Sequence, residues 1–301
     1  MTEVLGALLS PFTDPGSRTW APGLLLAGIV LVVWGRARGD GVARALGVHT
    51  WRSRSAALDL QLLAARQWFA LLGVIPRLGV SVALAAGVAR ALGAVARPDA
   101  GTWGPLHAVG LSVSLFVAWD ASRFLLHRAM HRVPLLWRFH QVHHSAEVLT
   151  PLTFHRVHPV EALLYELRGA LVGGLVGGVA FWLWQDVATV GTVLGVDAVG
   201  LVLNVTLGNL RHSHAWIRFP AAVERWFLSP AQHQLHHGAD RAENGANFGV
   251  WLAVWDRMGG SFRESGPVPP AAFGLPAAAC NHGQDLLDAL VGPFRRGAVS
   301  S

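Results

Sequence analysis

HRAMHRVPLLWRFHQVHH, residues 127–144, holds five histidines at helical spacing, and the reading of the chain grows outward from it. His127 and His131 are four apart, so they share one face of a helix. Pro134 breaks that helix, and beyond it His140, His143 and His144 stand at i, i+3 and i+4, again on one side. Asp120 lies two turns before His127 on the same face. Far along the chain the pattern returns as His233-Gln-Leu-His236-His237, and between the two stands His212-Ser-His214. Neutral imidazole is the commonest protein metal ligand, and one helical turn brings two rings onto one ion. A single zinc needs about four ligands, so an inventory of eight boxed histidines, with His212 and His214 beyond them, fits two ions. Burying that many unpaired imidazoles without a cation to ligate would be costly. Nitrogen donors without thiolate point to iron among the redox metals, although ligand softness alone leaves zinc, manganese and copper open. Isolated histidines such as His49, His107 and His282 read as structural.

The sequence around the boxes is that of a membrane protein. Hydrophobic residues make up 52% and charged residues 14%, against about 25% charged in soluble domains. With a mean hydropathy of +0.40, this excludes a disordered chain and argues against a soluble globule. Uncharged or nearly uncharged runs cover Trp20 to Gly35, Leu78 to Val95, Ala100 to Trp119, Gly169 to Gln185 and Val187 to Leu210. Leu60 to Ile75 reads as an interfacial helix. An all-α integral membrane protein with about four to five transmembrane helices follows. The last two runs read as a helical hairpin, and Gly173, Gly174, Gly177 and Gly178 allow close helix approach. Arg36, Arg38, Arg44, Arg52 and Arg54 follow the first run and only Arg18 precedes it, which puts the N-terminus outside and residues 36–66 in the cytoplasm. Two complete hairpins then bring every box to the cytoplasmic side. All 24 basic residues are arginine, the habit of a GC-rich genome, and the expected location is a bacterial inner membrane. Net charge is only +6 and no basic run is interleaved with aromatics, so no nucleic-acid partner is expected. Arg123, Arg128, Arg132 and Arg138 read as a cytoplasmic belt. The single cysteine, Cys280, excludes an intramolecular disulfide and a thiolate metal cage.

The run from His127 to Ser145 resembles the fatty acid hydroxylase (sterol desaturase) superfamily. The likeness continues through Thr153-Phe-His-Arg156-Val-His158-Pro159-Val-Glu161, Asn209-Leu-Arg-His212-Ser-His214 and Ser229-Pro-Ala-Gln-His233-Gln-Leu-His236-His237. It closes with Asn247-Phe-Gly249 and with Trp255-Asp256-Arg-Met-Gly-Gly260, where Gly259 replaces a more usual Phe, and covers about residues 105 to 265. The resemblance implies a helical cytosolic cap holding a histidine-ligated dimetal site with two iron ions, which zinc can replace in a purified form. It implies His127, His131, His140, His143, His144, His212, His233, His236 and His237 as metal ligands. His214, which stands where relatives often have asparagine, completes the candidate set, and His158 belongs to a recurring motif with a ligand or supporting role. The implied activity is dioxygen-dependent hydroxylation or desaturation of a lipid. No haem domain accompanies the 301 residues, so electrons are expected from a separate ferredoxin, cytochrome or reductase. The domains read as a membrane-associated region (1–99), the hydroxylase-like domain (100–265) and a cytosolic tail (266–301). Asp120, Glu147, Glu161, Glu224, Asn247 and Asp256 are the candidates to hold ligand N–H groups, as outer partners of metal-bound histidines do. The alternative is a membrane metal-binding or transport protein without oxygenase activity, which favours ionisable residues within the spans rather than beside them. A zinc hydrolase lacks its His-Glu-x-x-His.

Overall fold

The computed structural model describes residues 2–15, 17–72, 79–95, 99, 101, 103–184, 198–275 and 283–295. Its main helices are α1 (Thr2–Thr13), α2 (Ala21–Ala37), α3 (Arg54–Leu71), α4 (Gly79–Leu92), α5 (Pro105–Arg132), α6 (Pro134–His144), α7 (Pro159–Leu183), α8 (Ala198–Thr206), α9 (Pro230–His236), α10 (Val254–Gly259) and α11 (Leu286–Val291). Among the described residues the only β-pairing is in two isolated bridges, Phe227–Leu252 and Gly238–Phe273, so the chain is all-helical there.

Prolines set where the helices begin. α5, α6, α7 and α9 each carry Pro in the first turn, where its missing N–H leaves no hydrogen bond unmade. Pro134 also ends α5, because the residue before a proline is driven out of the helical region. Val133 accordingly adopts φ −99° and ψ 113°. The chain reverses there, and the histidines ending α5 come to face those of α6. Ser229 starts α9 with a reciprocal cap: its hydroxyl accepts from the Gln232 amide at 3.1 Å and its own amide donates to Gln232 Oε1 at 3.0 Å.

α5 and α7 are long and apolar enough to cross a membrane, and only 22% and 28% of their most apolar windows are buried. Leu106, Val109, Val113, Leu171, Leu175 and Val179 stand exposed on them. A continuous apolar belt of this kind is costly in water, at about 25 cal/mol per Å², and marks a membrane-associated chain. α2 and the segment Val80–Leu92 are shorter apolar helices. Of the expected run 187–210, residues 187–197 lie outside the described residues, as do Cys280 and His282. Among the described residues α7 packs on α4 and α5 rather than on α8, the described part of its expected hairpin partner. A Cβ at Gly178 would lie 2.6 Å from Val88 Cβ and 2.8 Å from Ala85 O, so the α4 and α7 backbones meet at a stripe that only glycine permits. α8 packs on α2 instead, with Gly23 against Val205 and Asn209.

α3 runs beneath the histidine-bearing helices. Leu58 and Leu62 pack with Val142 and Ala289, all at most 1% exposed. On the same face Asp59 pairs with Arg156 at 3.1 Å, both fully buried. Thr150 and Thr153 donate hydroxyls to the other Asp59 oxygen at 3.2 and 2.7 Å. Arg156 also donates to Val142 O, Ser145 Oγ and Gln284 Oε1. The loop after α6 is thereby tied to the N-terminal region and to the C-terminal segment at once.

Candidate metal centre

The helix ends and the turn at His212 deliver nine imidazoles into two groups. His127, His131, His140, His144 and His236 form the first, and His143, His212, His233 and His237 the second, with one nitrogen per ring lying within 4.8 Å of every other in its group. Helical geometry explains the division. In the α6 box the i, i+4 pair His140 and His144 serves the first group and His143 the second. In the α9 box the i, i+4 pair His233 and His237 serves the second and His236 the first. Adjacent residues on a helix point roughly 100° apart, so each His-His doublet bridges the two groups. All but one of the nine rings are buried, and His131 is half-buried.

Hydrogen bonds on the outer nitrogens fix which inner nitrogens carry lone pairs. His127 Nδ1 donates to Phe248 O at 2.7 Å, His236 Nδ1 to Ala246 O at 2.8 Å, and His143 Nδ1 to Arg156 O at 3.2 Å. His140 Nδ1 donates to Glu161 Oε1 at 2.7 Å. A neutral imidazole has one N–H, so the Nε2 atoms of these four are bare. Yet His127 Nε2 lies 3.1 Å from His140 Nε2 and 3.0 Å from His236 Nε2. Three lone pairs converge with no proton to share. Protonation is no remedy, because burial pushes the His140 imidazole down to about 3 and that of His143 to about 4. Burial and the neighbouring rings hold His144, His212, His233, His236 and His237 well below the ordinary range. In addition His131 Nε2, His144 Nε2, His212 Nδ1 and His237 Nδ1 are buried without a hydrogen-bond partner. Cations resolve the crowded Nε2 contacts and take up the His131 and His144 nitrogens, whereas His212 Nδ1 and His237 Nδ1 lie on the outer edges of their rings, and a nitrogen at about 2.0–2.1 Å from its ion suits the separations seen. The residues present fit a two-metal site.

The surrounding polar residues hold this arrangement from outside. Glu161, among the expected partners, does bond a ring nitrogen. Asp120 and Asp256 act one step further out. Asp256 accepts from the Phe248 and Gly249 amides at 2.8 and 2.7 Å and from Ser261 Oγ at 2.7 Å. Asp120 accepts from the Trp251 and Leu252 amides, both at 3.0 Å, and from Trp255 Nε1. Two buried carboxylates therefore clamp the loop whose Phe248 carbonyl orients His127. A Cβ at Gly249 would come within 2.7 Å of Asp256 Oδ2, so that loop needs glycine. Asn247 Oδ1 accepts from the Arg263 amide at 2.9 Å, and Glu224 Oε1 accepts from Ser229 Oγ at 2.7 Å, steadying the start of α9.

The structure brings nine of the ten candidate histidines together. It places His214 elsewhere: the ring packs over Gly47 and edge-on to His49, 6.4 Å between centroids. The two-residue offset from His212, at the turn after Leu210, carries it to the α2 side. His158 caps α7, its Nδ1 accepting from Val160 N at 3.1 Å while its Nε2 donates to Leu290 O. His155, unremarked in the sequence, is buried against Thr19 Oγ1 at 2.9 Å.

Beside the histidines lies a cavity of about 160 Å³, lined by His127, His140, His143, His212 and His233 and by Trp119, Phe154, Val157 and Tyr165. Arg123 lines it rather than joining a surface belt, and the N-terminal region contributes Arg18 and Arg66. No sequence signal marks these last two residues, since their partners lie far along the chain.

The fatty acid hydroxylase family model matches residues 112–261. Ornithine lipid hydroxylase OlsE of Rhizobium tropici is 26% identical over 174 residues, covering 58% of this chain and 47% of that protein. Lathosterol oxidase of Mus musculus is 25% identical over 161 residues, 54% of this chain and 48% of its own length. Alkylglycerol monooxygenase of Homo sapiens is 26% identical over 149 residues, 50% of this chain and 30% of its own. The matched segment thus spans about half the length of these relatives or less. No solved structure matches the chain.

Proposed function

Because the chain belongs to the fatty acid hydroxylase family, we propose that it is a membrane-bound di-iron oxidoreductase that hydroxylates or desaturates a lipid with dioxygen and two electrons from a separate donor. The observation that carries the proposal is the gathering of nine rings into two groups, with the bare Nε2 atoms of His127 and His236 only 3.0 Å apart. Two iron ions bound there would supply the redox chemistry needed to reduce dioxygen and remove hydrogen from an unactivated C–H bond. In hydroxylation one oxygen atom enters the C–H bond and the other leaves as water, with two electrons and two protons consumed. In desaturation two hydrogens leave the lipid and, with the same two electrons and two protons, dioxygen becomes two waters.

The protein's own part is to bind and orient. His127, His131, His140, His144 and His236 would hold one ion, and His143, His212, His233 and His237 the other. Phe248 O, Ala246 O, Arg156 O and Glu161 fix four of the ring tautomers. Trp119 and Phe154 wall the adjoining cavity and keep bulk water from the reacting carbon. α5 and α7, with α2, α4 and α8, form the membrane part, and the boxes sit at its cytoplasmic face; the N-terminal segment lies on that same side rather than outside as expected, since Thr19 Oγ1 is 2.9 Å from His155 Nε2 and Gln67 of α3 donates to Ala7 O. Exposed Arg257 would meet an acidic electron donor. The relatives' names, an ornithine lipid hydroxylase, an alkylglycerol monooxygenase and a lathosterol oxidase, support a lipid as the substrate.

The test combines chemistry with genetics. Protein extracted in detergent and reconstituted with iron under anaerobic conditions is expected to hold about two ions and to consume dioxygen with a lipid fraction and a reductant. A deletion strain is expected to lose an oxygenated or unsaturated lipid, restored by the wild type and not by His236→Ala. An unchanged lipid profile together with no oxygen consumption would leave metal binding alone and end the oxygenase reading.

A further inference from the structure

The cavity beside the histidines is lined by five arginines, Arg18, Arg66, Arg123, Arg168 and Arg211, and by two acids, Glu161 and Glu166. Neither acid is hydrogen-bonded to Arg18 or Arg123, although Glu161 Oε2 is buried without a hydrogen-bond partner. Glu161 accepts from His140 Nδ1 at 2.7 Å, and Glu166 pairs with Arg66 at 3.1 Å. Arg211 donates to the Gly249 and Val250 carbonyls and to His233 Nδ1. Arg168 donates to Trp119 O and Ser122 Oγ. Arg18 and Arg123 remain. Arg18 is 9% exposed, and its guanidinium lies over the rings of Phe154 at 4.5 Å and Trp251 at 5.7 Å. Arg123 stacks on Tyr165 at 5.1 Å, with its Nε buried and unpartnered. Neither takes a hydrogen-bond partner among the described residues. Each guanidinium carries five N–H donors, and two such charges facing one small cavity without an anion are costly. Arg211 lies over the same Trp251 ring, at 5.1 Å, so its charge stands close to that of Arg18, and burial, then Arg123 and Arg211, push the Arg18 guanidinium well below its ordinary value.

We propose that this cavity receives the anionic end of the substrate, a carboxylate or a phosphate, on Arg18 and Arg123, and that the lipid is oxidised near that end. The regiochemistry follows from distance: Arg211, one of the charges beside Arg18, is itself 3.0 Å from His233 Nδ1. The anion therefore lies next to the histidine groups, and the carbon presented to them is only a few bonds away. Phe154, Val157 and Trp119 offer the apolar wall that the first carbons of the chain require. The inference rests on the lipid-oxygenase reading above and names the substrate class for it.

The test is binding to the full chain in phosphatidylcholine nanodiscs, with tritiated octanoate, octyl phosphate and octanol as probes and empty nanodiscs as the blank. One or both anions are expected to bind about tenfold or more tightly than octanol, the gain of a charge-assisted contact. The tighter of the two identifies the head group as carboxylate or phosphate. Arg123→Gln and Arg18→Gln should bring the anions down to the octanol level and leave octanol unchanged, and Arg123→Lys should restore part of the gain. Arg132→Gln, on the exposed surface, should change nothing. Equal binding of all three probes overturns the proposal. So does an equal loss of all three in the arginine variants, which would mark a structural role, or an equal loss of the anions in Arg132→Gln, which would mark surface attraction alone. The readout is independent of turnover. Selective anion binding by a protein that consumes no dioxygen upholds the subsite and removes the oxygenase reading. Oxygen consumption that is the same with octanol as with octanoate, and unchanged in Arg123→Gln, removes the subsite and keeps the enzyme.

Discussion

Replacing Asp256 by alanine should loosen the metal centre without touching a histidine. Asp256 is fully buried and accepts from two backbone amides, Phe248 at 2.8 Å and Gly249 at 2.7 Å, as well as from Ser261 Oγ. Alanine leaves both amides buried and unpaired, at about 1–3 kcal/mol each, or about 2–6 kcal/mol in all. The neighbouring Trp251 and Leu252 amides stay clamped by Asp120, so the damage should remain local rather than unfold the chain. What moves is the Phe248 carbonyl, the acceptor for His127 Nδ1. Loss of an outer partner of this kind typically costs about 10–100-fold in metal affinity, or about 1.4–2.8 kcal/mol, which lies within the range that the two amides can release. The assay is a metal titration of the detergent-solubilised protein, paired with hydrogen exchange over residues 246–252. Asp256→Ala should weaken metal binding by at least tenfold and strip protection from the 248 and 249 amides. Asp256→Asn, which keeps one acceptor, should fall between. Metal affinity within twofold of the wild type, with both amides still protected, would refute the clamp.

Three further outcomes are expected. His236→Ala and His237→Ala, neighbours in sequence, should deplete different ions, since the first belongs with His127 and the second with His143; elemental analysis beside a spectrum of each variant would find the same depletion in both if the division were wrong. Asp59→Ala should destabilise by about 3–5 kcal/mol because it strands the buried Arg156 guanidinium, and Asp59→Ala with Arg156→Met should recover much of the loss in a thermal melt. The metal-free protein should weaken in acid: His140 falls to about 3 and His143 to about 4 in the folded state, below an ordinary 6.5, so the unfolded chain takes up protons first. That stability is complete above pH 6.5 and drains away as pH falls toward the folded values, about 4 kcal/mol for the two by pH 5, and a melting temperature that stays flat from pH 7 to 5 would contradict it.

The parts of the centre that could be read from the chain are those that obey local geometry. Metal ligation demands rings one turn apart, so the boxes declare themselves, and even the division of each His-His doublet follows from the angle between adjacent residues on a helix. Pro134 likewise announces the reversal that sets His127 against His140, because its effect on Val133 is a matter of neighbouring atoms. Contacts that span the chain leave no such mark. Asp59 and Arg156 are 97 residues apart, and Thr19 and His155 are 136 apart; nothing in the composition of either segment says that they meet. The same holds for α4, whose fit against the α7 glycines depends on a shape seen only after both helices exist. This has a consequence for where the chemistry is controlled. The histidines, with Glu161 and the loop clamped by Asp120 and Asp256, lie in the stretch that matches the family, whereas Arg18 and Arg66 come from before residue 112, where that match begins. A centre built from local rules can be shared by enzymes that oxidise different lipids. On the proposed reading, the cavity that chooses among those lipids draws Arg18 and Arg66 from a distant segment, free to differ while the ligand spacing stays fixed.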